Sequence, residues 1–264
     1  MKIQKVKVGV KRMLLPLATA LALVITLMLP SAAAKNSQDG HTDQQSRLTA
    51  RPELGAKKGA PQWGLRPLDL DGERAGMIYV PPTYLPGRPA PLLIMLHGAG
   101  SRGENALKPL LHLADDAGLI LVAPDSRGRT WDLILDDYGP DVTLIDRALA
   151  WIFARYAIDP ARVALGGFSD GASYALSLGL TNGDLVESLI AFSPGFMKPA
   201  HRRNAPRFFI SHGTEDRALP IDQTSRRIVP ELERAGYQVR YREFGGGHSI
   251  PAEIAREALD WFLR

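Results

Sequence analysis

The 264-residue chain contains no cysteine. That excludes a thiol nucleophile, a disulfide framework and a lipidated N-terminal cysteine. It contains no Walker loop, no His-Glu-x-x-His helix and no carboxylate-rich metal loop, so neither a bound metal nor another cofactor is expected. The run Gly245-Gly246-Gly247 lacks the lysine of a phosphate cradle. No internal repeat or heptad run appears, which excludes a solenoid or a coiled coil.

The first 34 positions contain no acidic residue. Lys2, Lys5, Lys7, Lys11 and Arg12 open the chain, and Met13 to Leu29 is apolar apart from two threonines. Pro30-Ser31-Ala32-Ala33-Ala34 then supplies small residues for cleavage before Lys35. This is the pattern of a secretory signal peptide over residues 1–34. The competing reading is an uncleaved anchor, since the apolar stretch approaches the ~18 residues that span a bilayer. The small-residue end and the polar tract after it favour cleavage, and hence an exported protein, periplasmic or secreted, with no stable membrane anchor. Without the leader the chain carries 27 basic and 28 acidic residues, a net charge of −1. The high overall pI therefore belongs largely to the leader, and a basic surface for nucleic acid is not expected.

Residues 35–62 are polar and aperiodic and are expected to form a disordered tether. Residues 63–264 suit one α/β domain. Apolar runs place strands at Leu65–Leu70, Ala75–Val80, Leu92–Leu96, Leu119–Val122, Val163–Leu165, Ser188–Phe192, Arg207–Ile210 and Gln238–Phe244. Helical patterns fall at Glu104–Ala117, Val142–Arg155, Gly171–Leu180, Gln223–Ala235 and Ala252–Leu263. The alternation argues a mostly parallel eight-stranded sheet covered by helices on both faces.

The most informative segment is Gly167-Phe168-Ser169-Asp170-Gly171, set between an apolar strand and a helical pattern. In that setting a Gly-x-Ser-x-Gly pentapeptide is a nucleophile elbow, whose strained turn lifts the serine hydroxyl into solvent. The flanking glycines remove Cβ atoms where strand and helix cross. A serine nucleophile needs a base, and the base needs a carboxylate that fixes its tautomer. These partners follow an elbow in the order acid, then histidine. His248, after a strand and a glycine loop, is the candidate base. His201 reads as solvated surface among Lys198, Arg202 and Arg203, and His212 as a packed loop residue. Asp216 is the preferred acid, with Glu215 its competitor. The tetrahedral oxyanion formed on acyl attack needs backbone N–H donors. The candidates are Asp170, next after the nucleophile, and Ala99 in His97-Gly98-Ala99-Gly100, after the apolar strand at Leu92. His97 reads as a structural residue of that loop.

These segments, with Asp159-Pro160-Ala161-Arg162-Val163 and His212-Gly213-Thr214-Glu215-Asp216, give the chain a resemblance to the α/β-hydrolase superfamily. Within it the chain is similar to small bacterial esterases of the phospholipase/carboxylesterase, dienelactone-hydrolase-like and polyhydroxybutyrate-depolymerase-like groups. The resemblance runs from about Leu65 to Arg264. It implies the α/β-hydrolase fold and a catalytic Ser169, Asp216 and His248. It also implies hydrolysis of a small-molecule carboxylic ester through an acyl-enzyme. The cysteine nucleophile of dienelactone hydrolases is excluded by composition. A peptidase or amidase on the same fold, or a non-catalytic binding descendant, remains the alternative; oligomeric state is not legible.

The connection from Ser193 to Pro206 is too short for a large cap domain. The longest irregular stretch is Asp125 to Pro140, expected to rim the active-site face. Trp131 within it is the candidate substrate-binding residue, able to form a groove with Tyr138; the alternative is a ring folded onto the core.

Overall fold

The computed structural model describes residues 44–53, 61–70 and 73–264. The expected leader, its cleavage site and part of the tether lie outside the described residues. The centre is an eight-stranded sheet in the order β1-β2-β4-β3-β5-β6-β7-β8. Its strands are β1 (Gly64–Leu70), β2 (Glu73–Val80), β3 (Ala90–Leu96), β4 (Ile120–Pro124), β5 (Ile158–Phe168), β6 (Ser188–Phe192), β7 (Arg207–Gly213) and β8 (Val239–Phe244). β1–β2 and β2–β4 pair antiparallel, and every other neighbour is parallel.

The central parallel strands β3, β4 and β6 are covered on both sides and read as apolar without alternation, whereas the edge strand β8 alternates. All seven residues of β3 are buried. One face carries α4 (Pro140–Arg155), α5 (Asp170–Thr181) and α6 (Ser225–Arg234). The other carries α1 (Gly103–Leu107), α2 (Leu111–Ala117) and α7 (Ala252–Leu263). A short α3 (Asp132–Leu135) interrupts the stretch expected to be irregular. The single helix expected over Glu104–Ala117 is divided in two. Pro109 lies in the break, where a ring with no N–H cannot continue an α-helical ladder. Strand order reverses beside β3: β4 lies on one side of it and β5 on the other. Ligands of open parallel sheets bind at the carboxyl ends of the strands at such a switch point.

One segment departs from expectation. Residues 44–53, assigned to a disordered tether, are docked on α4 and α5. Leu48 is 1% exposed, and its N–H donates to Asn182 Oδ1 at 2.8 Å. Asn182 Nδ2 donates to Ser46 O. Arg47 grips Asp184 with two N–H groups at 2.9 and 2.8 Å, and Asp146 accepts from the Thr49 N–H, its hydroxyl and the Ala50 N–H. One leucine and a few well-matched polar groups are invisible to a compositional reading. The connection from β6 to β7 is short, as expected. Ser173, Ser177 and Thr181 are spaced by one helical turn on α5. Each hydroxyl donates to the carbonyl four residues earlier and accepts the N–H of Gly195, Lys198 or Ala200. This ladder fastens residues 195–200 to α5 where a cap would otherwise be inserted.

Candidate functional site

Ser169 stands between β5 and α5 with φ 58 and ψ −121. A non-glycine residue rarely occupies that region, and the surrounding structure must enforce it. Here the enforcement is backbone against backbone. A Cβ on Gly167 would lie 2.2 Å from the Gly171 carbonyl, and one on Gly171 would lie 2.3 Å from the Leu96 carbonyl oxygen. Both glycines are therefore needed for strand, elbow and helix to meet. The Ser169 N–H donates to Phe192 O at 2.9 Å, tying the elbow to β6. Asp170 opens α5, so its N–H belongs to the first turn, which has no intrahelical acceptor and lies at the positive end of the helix dipole. Its carboxylate is engaged sideways, accepting from the Thr130 hydroxyl at 2.7 Å.

His248 and Asp216 reach one another from neighbouring loops. The loops after β7 and β8 are laced together by Thr214 N–H to Phe244 O and Glu215 N–H to Gly246 O, both 2.9 Å. Gly213 permits this approach, since a Cβ there would meet the Gly246 and Gly247 oxygens at 2.4 Å. His248 Nδ1 lies 2.6 Å from Asp216 Oδ2. The carboxylate cannot donate, so Nδ1 carries the proton and Nε2 keeps its lone pair. The Phe168 ring packs on the imidazole with centroids 4.5 Å apart. Asp216 is shielded, its side chain 0% exposed. Burial alone would raise its carboxyl pKa. The Leu219 N–H and the His248 imidazole outweigh burial and hold it below the usual carboxylate value. Glu215, the competing acid, points to solvent. His201 is exposed, as expected of a solvated surface histidine.

Ser169, His248 and Ala99 line one cavity of about 550 Å³. Its other walls are largely apolar, from Ala106, Pro109, Phe168 and Ile250. Another depression of about 580 Å³ lies between β8 and α7 but contains no nucleophile. Its Glu257 is held by Arg240 and Arg242. Among the described residues no cluster of histidines and carboxylates is arranged to hold a metal.

The phospholipase/carboxylesterase family model matches residues 143–262, the stretch that contains Ser169, Asp216 and His248. Acyl-protein thioesterase 1 of Gibberella zeae is 29% identical over 118 residues, 40% of this chain and 49% of that protein. The match thus spans about half the length of that relative. Among solved structures, an S-formylglutathione hydrolase from Agrobacterium tumefaciens superposes with a TM-score of 0.61 at 17% identity, over 82% of this chain and 98% of that one. Thermogutta terrifontis esterase 2 gives 0.60 at 20% identity, over 80% and 95%. The chain has the α/β-hydrolase fold. The proteins it is similar to are esterases and thioesterases.

Two aromatic residues of the 125–140 stretch lie away from the cavity. Trp131 is 0% exposed and does not line the cavity, which corrects its assignment as a substrate-binding residue. Its ring packs between His97 and Tyr174, and its Nε1 donates to His97 O at 2.8 Å. Tyr138 is likewise buried, 4% exposed. The loop from Asp125 to Pro140 turns inward because two carboxylates organise it. Asp141 accepts from the Arg127 and Asp132 N–H groups, and Asp132 accepts from the Asp141 N–H and the Tyr174 hydroxyl. His97 is a clip, as its loop position suggested. Nδ1 meets Gly98 O, and Nε2 accepts the Ser126 N–H at 3.0 Å. Burial lowers its pKa and keeps the ring neutral in this role. Sequence reading missed the Thr130–Asp170 bond and the Ser173 ladder, which depend on contacts between distant segments. The i, i+4, i+8 spacing of the ladder was the only signal available.

Proposed function

We propose that the protein is a serine hydrolase that cleaves carboxylic esters of small or short-acyl substrates through an acyl-enzyme. The observation that carries this reading is the 2.6 Å contact from His248 Nδ1 to the buried Asp216 carboxylate, in one cavity with a strained Ser169. Fixing the proton on Nδ1 aims Nε2 as general base for the Ser169 hydroxyl. Oγ attacks the acyl carbon while its proton passes to Nε2. The carbonyl electrons move to oxygen, and the Ala99 and Asp170 N–H groups stabilise that charge. Collapse expels the alcohol, which takes the proton from Nε2. Water activated by the same nitrogen then releases the acid and restores Ser169.

Two features support the substrate class. The segment after β6 is fastened to α5 rather than extended into a cap, and Trp131 and Tyr138 build no groove. A long acyl chain therefore leaves methylenes in water, each forgoing about 0.8 kcal/mol. Initial rates on p-nitrophenyl esters from acetyl to palmitoyl, with matched anilides, test the reading. Short and medium acyl esters should turn over fastest and anilides slowly. A rate maximum at palmitate would overturn the substrate class, anilides faster than esters would make the protein an amidase, and no turnover of either would favour a binding descendant.

The leader reading belongs with this proposal: a hydrolase made with residues 1–34 and exported without them.

A further inference from the structure

Asp216 faces two histidines. Oδ1 accepts the Ala218 and Leu219 N–H groups at 2.9 and 2.8 Å. Oδ2, which meets His248 Nδ1, also lies 3.2 Å from Nε2 of His212. The His212 side chain is 0% exposed, and the proposed chemistry gives it no task. Its Nε2 is 2.8 Å from Leu219 O as well. Two acceptors face that nitrogen, so it must carry a proton. Nδ1 is 2.7 Å from Ser225 Oγ at the first residue of α6, a hydroxyl able to donate to a bare ring nitrogen. Burial lowers the His212 pKa and favours the neutral ring.

We infer that His212 is a positioning residue: a neutral imidazole whose Nε2–H, shared between Leu219 O and Asp216 Oδ2, fixes the acid that orients His248. The inference rests on the hydrolase reading of the site. Every polar contact of His212 is then used. Ser225 sets the tautomer from α6, Leu219 O steers the N–H from the acid loop, and the carboxylate receives it. Asp216 Oδ2 consequently divides its charge between two donors. Without His212 all of it would fall on His248, and the imidazole–carboxylate pair would hold its proton more tightly. The other charged groups around this cluster are Glu243 on β8, whose field reaches His212, and Arg226 on α6, bridged to Glu243 at 2.7 Å. Arg226 also bridges Asp222 at 2.8 Å, and all three groups stay fixed in the variants below.

The test compares His212→Leu with His212→Gln, whose amide N–H can still reach Oδ2. The leucine variant should lose about 10–100-fold in kcat with KM little changed, as when a group orienting a site from behind is removed. The acid limb of its kcat/KM profile should move up by about 0.5–1 pH unit, the scale of one lost bond to a charged group. Glutamine should restore the position of the limb. A leucine variant that is slower, or merely less stable, with an unmoved limb would reduce His212 to packing. Should the variants fail to fold, nitrogen-15 NMR of histidine-labelled parent protein decides the point. His212 should be neutral and protonated on Nε2 throughout the active pH range. A proton on Nδ1, or a ring that charges in step with activity, would overturn the inference. If the parent hydrolyses no ester, the functional reading fails, while the same spectra still report whether His212 donates to Asp216.

Discussion

At Ser169 a positive φ and two crowded glycines concentrate strain on a single hydroxyl. Folding tolerates the residue there because the sheet and α5 determine its backbone from both sides. Alanine fits the same space, so Ser169→Ala should fold normally while kcat falls by about 10⁴–10⁶. Esterase activity within about tenfold of the parent would move the nucleophile elsewhere, being far smaller than the loss of a triad member. The acid is tested the same way. Asp216→Asn keeps the shape but offers the wrong hydrogen-bond pattern to His248 Nδ1, and should cost up to about 10⁴ in kcat. Glu215→Gln, on an exposed side chain, should cost little. The opposite ranking would transfer the acid to Glu215.

The elements that were legible in the sequence are those whose signals are local. The apolar runs marked all eight strands, and β6 is observed at Ser188–Phe192 as its run indicates. The elbow was readable because its glycines are required by a crossing only a few residues long. Asp216 was separable from Glu215 only as a preference, because the deciding contact bridges 32 residues. Trp131 was assigned to the pocket and belongs to the core, because its destination depends on Asp132, Asp141 and His97 meeting in three dimensions. The docked strand of chain at 44–53 was missed for the same reason. Its two parts predict separable effects. Leu48→Ala should destabilise by about 2–5 kcal/mol, the usual range for a buried leucine, with kcat/KM unchanged. Hydrogen bonds and charge from Arg47, joined by Arg51, lower the Asp184 pKa well below its ordinary value near 3.8. A depressed carboxylate stabilises the fold above its unfolded pKa and loses that contribution as pH falls through the folded value. The melting-temperature gap between parent and Asp184→Asn should therefore be present at pH 7 and close on acidification below about pH 3. A gap that widens in acid would show that Asp184 is not held by these arginines.

At the scale of the whole molecule, an uncapped sheet predicts an enzyme indifferent to lipid surfaces. The rate on a short-chain ester should rise smoothly through the substrate's solubility limit. A jump at that boundary would mean that some segment opens over the cavity. The chain's basic, apolar beginning predicts a native N-terminus near Lys35, which mass spectrometry of the protein from its own host would reveal; an intact Met1 in a membrane fraction would establish an anchor instead.

The central claim is that one hydroxyl, that of Ser169, forms the covalent intermediate. The protein, treated with a fluorophosphonate, should gain the mass of one phosphonyl group, and peptide mapping should place it on Ser169. His248→Ala should slow the labelling, and Ser169→Ala should abolish it. A label on any other residue, or a Ser169→Ala protein that still takes it up, would contradict the account.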